Sequence, residues 1–298
     1  MKKVISFVVA TLFSCFVHAE LPKDFKIYTG FASTVPMCRA IFDEYDKTYG
    51  TTSTLFLKTG ATGMIAMLEM LKEPEFSLLC GSGVSESVVN TFVYPGHEDA
   101  HKQFVVTNVI AKVGVNFITG PNNPHPTLQS LLKSGTVDRP ITVGFHSYGV
   151  RMGAYAITKD VPILWVQHKS SLDAIVSLRE GQLDLYIDGP ILFPLVKDGK
   201  LKSLGHIYGL PDAPGPDLKL VYRDLTAYSF ITIGTSAANK NSDIEELNKR
   251  INKILENPKV KQAIEQSNYI PLMESMSVKQ AKDHIDAFRK LPIPMPKN

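Results

Sequence analysis

Ile141-Thr-Val-Gly-Phe-His-Ser-Tyr-Gly-Val-Arg-Met-Gly-Ala-Tyr-Ala-Ile157 is the stretch whose reading decides the fold. It opens on apolar and β-branched residues, breaks into small and polar ones over 144–149, and resumes at Val150 with helix formers. That is the pattern of a strand, a tight loop and a helix. The loop presents Ser147, Tyr148 and Gly149, with backbone N–H groups at a helix N-terminus whose partial positive charge favours an anion. Arg151, one turn further, is either a bidentate carboxylate contact or a solvated helix residue. Ile27-Tyr-Thr-Gly-Phe-Ala-Ser-Thr-Val-Pro-Met-Cys-Arg39 has the same layout, and both loops contain Gly-Phe-x-Ser, at Gly30–Ser33 and Gly144–Ser147. Two such loops, far apart in the chain, predict two lobes facing one ligand.

The flanking sequence extends this alternation. Strands are expected at 25–29, 53–57 and 76–80, with helices over 34–49 and 64–71. A long apolar run over 103–119, interrupted at 112–114, reads as one strand passing between lobes. The alternation resumes with a short helix over 127–132, strand 141–144, helix 150–157, strand 163–167, helix 171–179 and strand 183–187. A return strand follows at 228–234. Helices close the chain: Ser242-x-x-Glu245 is a capping box, Asn257-Pro258 ends that helix before another over 260–267, and Ser277-x-x-Gln280 begins the last. Strand–helix alternation of this kind predicts an α/β fold with a mainly parallel sheet in each lobe.

At the start of the chain, Met1-Lys-Lys, an apolar core over 4–13 and Val17-His-Ala19 form a secretory signal peptide over 1–19, too short for a membrane span. Lipoprotein processing at Cys15, after Leu12-Phe-Ser, is the alternative. Cleavage after Ala19 leaves 279 of the 298 residues and lowers the formal net charge from +3 to +1. Such a surface has no basic footprint for nucleic acid. Cys38 and Cys80 remain, either bridged in an oxidising compartment or buried and unpaired.

Several motifs carry competing chemistry. His97-Glu-Asp-Ala-His101 matches a zinc-protease pattern, but Pro95-Gly96 and a strand-like run from Phe104 leave under two turns of helix, so a solvated loop is the plainer reading. Phe145-His-Ser-Tyr-Gly149 approaches a nucleophile elbow around Ser147, with Phe145 where the first glycine belongs. Gly81-Ser-Gly83 lacks the third glycine of a dinucleotide fingerprint and reads as a helix entry that offers Ser82 to a ligand. Asp188 either accepts from a ligand or caps a helix starting near Pro190. Tyr28 either lines the cleft or packs beside the first strand.

Other segments carry a family resemblance. Gly60-Ala-Thr-Gly63 with Pro74-Glu-Phe-Ser-Leu-Leu79, then Thr127-Leu-Gln-Ser-Leu-Leu-Lys133, resemble segments of the substrate-binding proteins of tripartite tricarboxylate transporters, the Bug family. Ser147-Tyr-Gly149 sits where that family places a Ser-x-Gly ligand loop. Leu178-Arg-Glu-Gly-Gln-Leu-Asp-Leu-Tyr-Ile-Asp188, Asp198-Gly-Lys-Leu-Lys-Ser203 and Asn257-Pro-Lys-Val260 are similar to further family segments. The first loop departs from the family, with Phe31-Ala32, Val35 and Arg39 where Gly-Gly, Asp and Arg are usual.

The resemblance implies a two-lobed flytrap: 20–112 and 229–298 in one lobe, 113–228 in the other. It implies a monomeric periplasmic receptor without catalysis, cofactor or metal, which delivers a small organic carboxylate to membrane transporter subunits. The candidate ligand residues are Tyr28, Phe31, Ser33 and Thr34 in the first loop, and Gly60, Thr62 and Gly63 in the second. Ser82, Ser147, Tyr148, Gly149, Arg151 and Asp188 complete them. The alternatives are a secreted hydrolase, using Ser147 or zinc at His97 and His101, and a binding protein that serves a sensor.

Overall fold

The computed structural model describes residues 21–82, 94, 96, 99–207, 213–218, 229–272 and 274–289. The leader with its cleavage site, Cys15, His97 and Glu98 lie outside them. The first sheet contains β1 (Asp24–Thr29), β2 (Thr52–Leu57), β3 (Ser77–Ser82), β4 (Phe104–Val113), β10 (Ser229–Ser236) and β11 (Ile270–Pro271). Their spatial order is β11-β4-β10-β3-β1-β2. The second contains β5 (Val115–Thr119), β6 (Ile141–Phe145), β7 (Ile163–Gln167), β8 (Leu185–Asp188) and β9 (Lys202–Ile207), in the order β7-β6-β8-β5-β9.

The fold class is α/β, but the sheets are mixed rather than mainly parallel. β1 pairs parallel with β2 and β3, and β6 with β7 and β8. β10 runs antiparallel to β3 and β4, and β5 antiparallel to β8 and β9. The antiparallel pairs arise where the chain passes between lobes and must reverse against the βαβ units. The long apolar run is two strands, β4 and β5, divided at Gly114 because one strand cannot hydrogen-bond into both sheets.

Helices cover both faces of each sheet: α1 (Val35–Tyr49), α2 (Met64–Lys72), α3 (Leu128–Lys133), α4 (Tyr148–Thr158), α5 (Ser171–Arg179), α6 (Phe193–Lys197), α7 (Asn241–Leu255), α8 (Pro258–Gln266) and α9 (Val278–Arg289). The inner face of α1 buries Met37, Cys38, Ile41, Phe42 and Tyr45 at helical spacing. At about 1.5–3 kcal/mol per buried side chain, packing outweighs the few tenths per residue of helix propensity. That face joins α7 and α8 in the core on one side of the first sheet. A second core, with Met64, Met67 and Phe230, also contains Phe145 and Tyr148 of the other lobe. The lobes therefore share buried apolar surface beside the cleft.

Cys38 and Cys80 form a disulfide with Cα atoms 6.2 Å apart, fastening the first turn of α1 to β3. The Ser277 and Gln280 side chains cap α9 reciprocally, and Asn257 caps α8. The box expected at Ser242 and Glu245 does not form. α7 begins at Asn241, so Ser242 is already helical and donates to Asp243 instead.

Candidate functional site

Parallel strands feeding helices aim their carboxyl ends at one crevice, the usual position for a ligand in such sheets. Here the loops after β1, β2, β6, β7 and β8 meet between the lobes. The inner chamber is narrow, about 40 Å³, with Phe31, Ser33 and Thr34 on one wall and His146, Ser147, Val150, Asp188 and Gly189 on the other. Val113, Ser229, Ile231 and Tyr269 floor it, so the paired ends of β4 and β10 lie beneath the ligand position. Outside lies a wider mouth lined by Gly30–Ser33, Thr59–Gly63, Tyr94, His146, Gln167–Leu172 and Ile191.

The first-lobe wall depends on a close backbone contact. A Cβ on Gly30 would sit 2.4 Å from the Gly63 Cα, so only glycine permits these loops to touch. Gly60, Ala61, Thr62 and Gly63 all have positive φ, at 122°, 44°, 50° and 92°. For Ala61 and Thr62 this is strained backbone, of the kind concentrated at binding loops. Thr34 shapes its loop with its hydroxyl, which donates to the Phe31 carbonyl and lies 2.6 Å from Thr29 Oγ1.

The second-lobe wall is organised by Asp188, which is only 2% exposed. Its carboxylate accepts from the Gly189 N–H at 2.6 Å, the Ser171 hydroxyl at 2.6 Å and the Tyr186 hydroxyl at 2.9 Å. Both readings of Asp188 are thereby refined: it faces the inner chamber and serves as the acceptor that ties β8, α5 and the His146 loop together. Burial, with Asp188 alongside, raises the Tyr186 hydroxyl well above its ordinary pKa, so it stays protonated. On the floor, burial pushes Tyr269 up to about 12, opposed by its hydrogen bond with Ser33.

Of the residues singled out by sequence, Phe31, Ser33, Thr34, Gly60, Thr62, Gly63, Ser147 and Asp188 line the cleft. Tyr28 does not: it stacks on Phe56 and its hydroxyl bonds Glu73. Tyr148 turns back onto Phe145 and donates to Gln167, and Gly149 lies behind it in the first turn of α4. Arg151 is neither a cleft residue nor a solvated one. It is 7% exposed, its guanidinium carbon 4.8 Å from the Trp165 ring centre and 5.2 Å from that of Phe145. Burial lowers its pKa, and the aromatic faces supply the compensating attraction. Ser82 ends β3 opposite Ile231, and its side chain lies outside the described residues.

Sequence reasoning missed His146, Thr59, the 167–171 loop, Gly189 and Tyr269. Applying the strand-end rule to β2, β7 and β8 brings in Thr59, the 167–171 loop and Gly189, while His146 is the passed-over position of the second Gly-Phe-x-Ser loop. No local signal marks Tyr269, which reaches the floor from the C-terminal region. His101 lies in a 3₁₀ turn ahead of β4. Among the described residues no group of three or more His, Cys, Asp or Glu side chains is placed to hold a metal, and no described helix is long and apolar enough to cross a membrane.

Two mixed sheets, with a cleft built from strand-end loops between them, define the two-lobed periplasmic-binding-protein fold. Solved structures place the chain more narrowly, with the fold of the Bug and TctC-type binding proteins. It matches R. palustris Rpa4515 with adipate at a TM-score of 0.75 and 20% identity, over 91% of this chain and 95% of that one. For MatC from Rhodopseudomonas palustris with bound malate the TM-score is 0.71 at 15% identity, over 90% and 99%. For the periplasmic binding protein BugD it is 0.70 at 16%, over 90% and 95%. The sequence itself matches no protein-family model and no curated protein.

Proposed function

We propose that this protein is a periplasmic solute receptor. It captures a small organic carboxylate between its lobes and delivers it to a membrane transporter of the tripartite tricarboxylate type. The observation that carries the reading is the convergence of four helix N-termini on one cleft, those of α1, α2, α4 and α5. Three of them, α1, α2 and α4, have no acidic residue in the first turn, where one would ordinarily neutralise the dipole. Backbone amides and the Ser33 and Ser147 hydroxyls then hold the anion, as suits a compact carboxylate rather than a polyphosphate. The fold shared with proteins solved with adipate and malate supports the same ligand class.

In this reading 20–112 and 229–298 form one lobe and 113–228 the other, 1–19 is the export signal, and the receptor is a monomer without catalytic activity. Chelators and serine-directed reagents are expected to leave binding unchanged. The test is a thermal-shift screen of protein refolded free of carried-over ligand against malate, adipate, citrate, benzoate, glutamate, sugars and oligopeptides. An acid at about 100 times its Kd stabilises the native state by about 2.7 kcal/mol, a shift of roughly 5 °C. Shifts confined to sugars or peptides overturn the carboxylate reading. No shift in any class overturns the receptor assignment.

A further inference from the structure

His146 has one ring nitrogen committed and the other open. Nδ1 lies 2.9 Å from the Tyr186 hydroxyl oxygen and 3.3 Å from Asp188 Oδ1. The Tyr186 hydroxyl gives its proton to Asp188 Oδ2, so toward His146 its oxygen only accepts. A carboxylate has no proton to give either. Both neighbours of Nδ1 are acceptors, and a neutral His146 therefore carries its proton on Nδ1. Nε2 is left as a bare lone pair on the ring edge away from Asp188, and the residue borders both chambers of the cleft.

A ligand carboxylate is acceptor-only as well, and two lone pairs do not bond. Contact becomes favourable once Nε2 also carries a proton. A ligand carboxylate in front of the ring favours that charged form. We propose that His146 receives the ligand carboxylate as an imidazolium, so that the receptor takes up one proton from solvent with each anion it binds. The inference rests on the carboxylate reading above. The protonation balances simply: the neutral ring gains a solvent proton at Nε2, no covalent bond in the ligand changes, and release returns the proton.

The other groups facing the ring do not substitute for it. Tyr186 and Tyr269 have raised pKa values and remain protonated. His168, behind the β7 loop, is pulled down by burial and its N–H bonds back to the Phe145 carbonyl through the main chain. Lys169 is exposed at the mouth, and Phe31 meets the ring edge-on with centroids 6.0 Å apart.

The experiment is calorimetric titration with malate, adipate, citrate and benzoate, in buffers of different ionisation enthalpy and over a range of pH. Uptake approaching one proton per acid is expected where the free imidazole is neutral, with the apparent Kd rising about tenfold per pH unit there. In His146→Gln the side-chain amide donates without titrating, so proton uptake disappears and Kd becomes flat with pH. Nitrogen-15 spectra of histidine-labelled protein add a ligand-free readout: the Nδ1–H tautomer when empty, both nitrogens protonated when saturated. An acid that binds without proton uptake, or an Nε2–H tautomer in the free protein, overturns this inference and leaves the carboxylate reading standing. Failure of all four acids to bind overturns both.

Discussion

Opening the Cys38–Cys80 bond is expected to cost about 4 kcal/mol of stability. The bond closes a sequence separation of 42 residues, which fixes the magnitude in the chain-entropy account. At about 2 °C per kcal/mol for a chain of this size, the loss corresponds to roughly 8 °C in Tm. Both cysteines are 0% exposed, so reductant reaches the bond only through opening of the protein. The native chain from Glu20 onward should therefore resist reduction that its urea-unfolded form undergoes readily. Alkylation and mass measurement should find no free thiol before reduction and two after it. Urea titrations of oxidised and reduced wild type isolate the bond itself. The Cys38→Ala/Cys80→Ala variant adds the loss of two buried sulfur atoms and should be less stable still. Two alkylable thiols in unfolded, unreduced protein would show that the bond is absent. An oxidised-minus-reduced difference below about 1 kcal/mol would refute the loop-closure reasoning.

Gly30→Ala should weaken binding of any acid found in the screen and cost roughly 1–3 kcal/mol of stability, because its Cβ would meet the Gly63 Cα at 2.4 Å and push the first-lobe loops apart. An unchanged Kd and Tm would show that the contact relaxes freely. Arg151→Met should lower stability by about 1–2 kcal/mol through lost aromatic contacts while leaving acid binding within about threefold. A large loss of affinity at unchanged Tm would return Arg151 to the ligand site. Stability should fall as pH drops below about 6.5, since burial holds the pKa values of His168, His206 and His284 below the ordinary value. Over that window the unfolded chain binds more protons than the folded one, so protonation favours unfolding. A urea midpoint higher at about pH 5.5 than at about pH 7.5 would contradict this.

Much of the architecture was legible because its cause is local. Strand-to-helix transitions at Gly30–Val35 and Gly144–Val150 are written as a change of hydrophobic period, and Asn257-Pro258 marks a break between helices by chemistry that acts within three residues. The strand directions were not local. Whether β4 and β10 run with or against β3 depends on how the chain crosses between lobes, and an apolar run such as 104–119 looks alike in either orientation. The site divides the same way. Ser33, Thr34 and Ser147 could be placed because loops at strand ends face the crevice. Tyr28, Tyr148 and Arg151 could not, because a residue beside such a loop can turn either way. For Arg151 the decision was made by Phe145 and Trp165, residues of β6 and β7 whose rings, set edge to face, receive its guanidinium.

A buried aspartate at the bottom of the proposed anion site looks like an obstacle to that reading, but its bonds are directed elsewhere. Each helix N-terminus contributes about half a positive charge close to its amides; Asp173 in the first turn offsets that of α5, so α1, α2 and α4 together supply roughly one and a half. Asp188 contributes one negative charge, aimed at Gly189, Ser171 and Tyr186 rather than at the open chamber. The excess positive potential is built into the backbone and needs no lysine in the inner wall. What Asp188 adds is orientation. It holds the Tyr186 hydroxyl so that its oxygen faces His146, and it turns Nδ1 inward so that Nε2 is left for the ligand. The carboxylate thus works at one remove, setting the ring orientation that the proposed proton uptake at His146 requires.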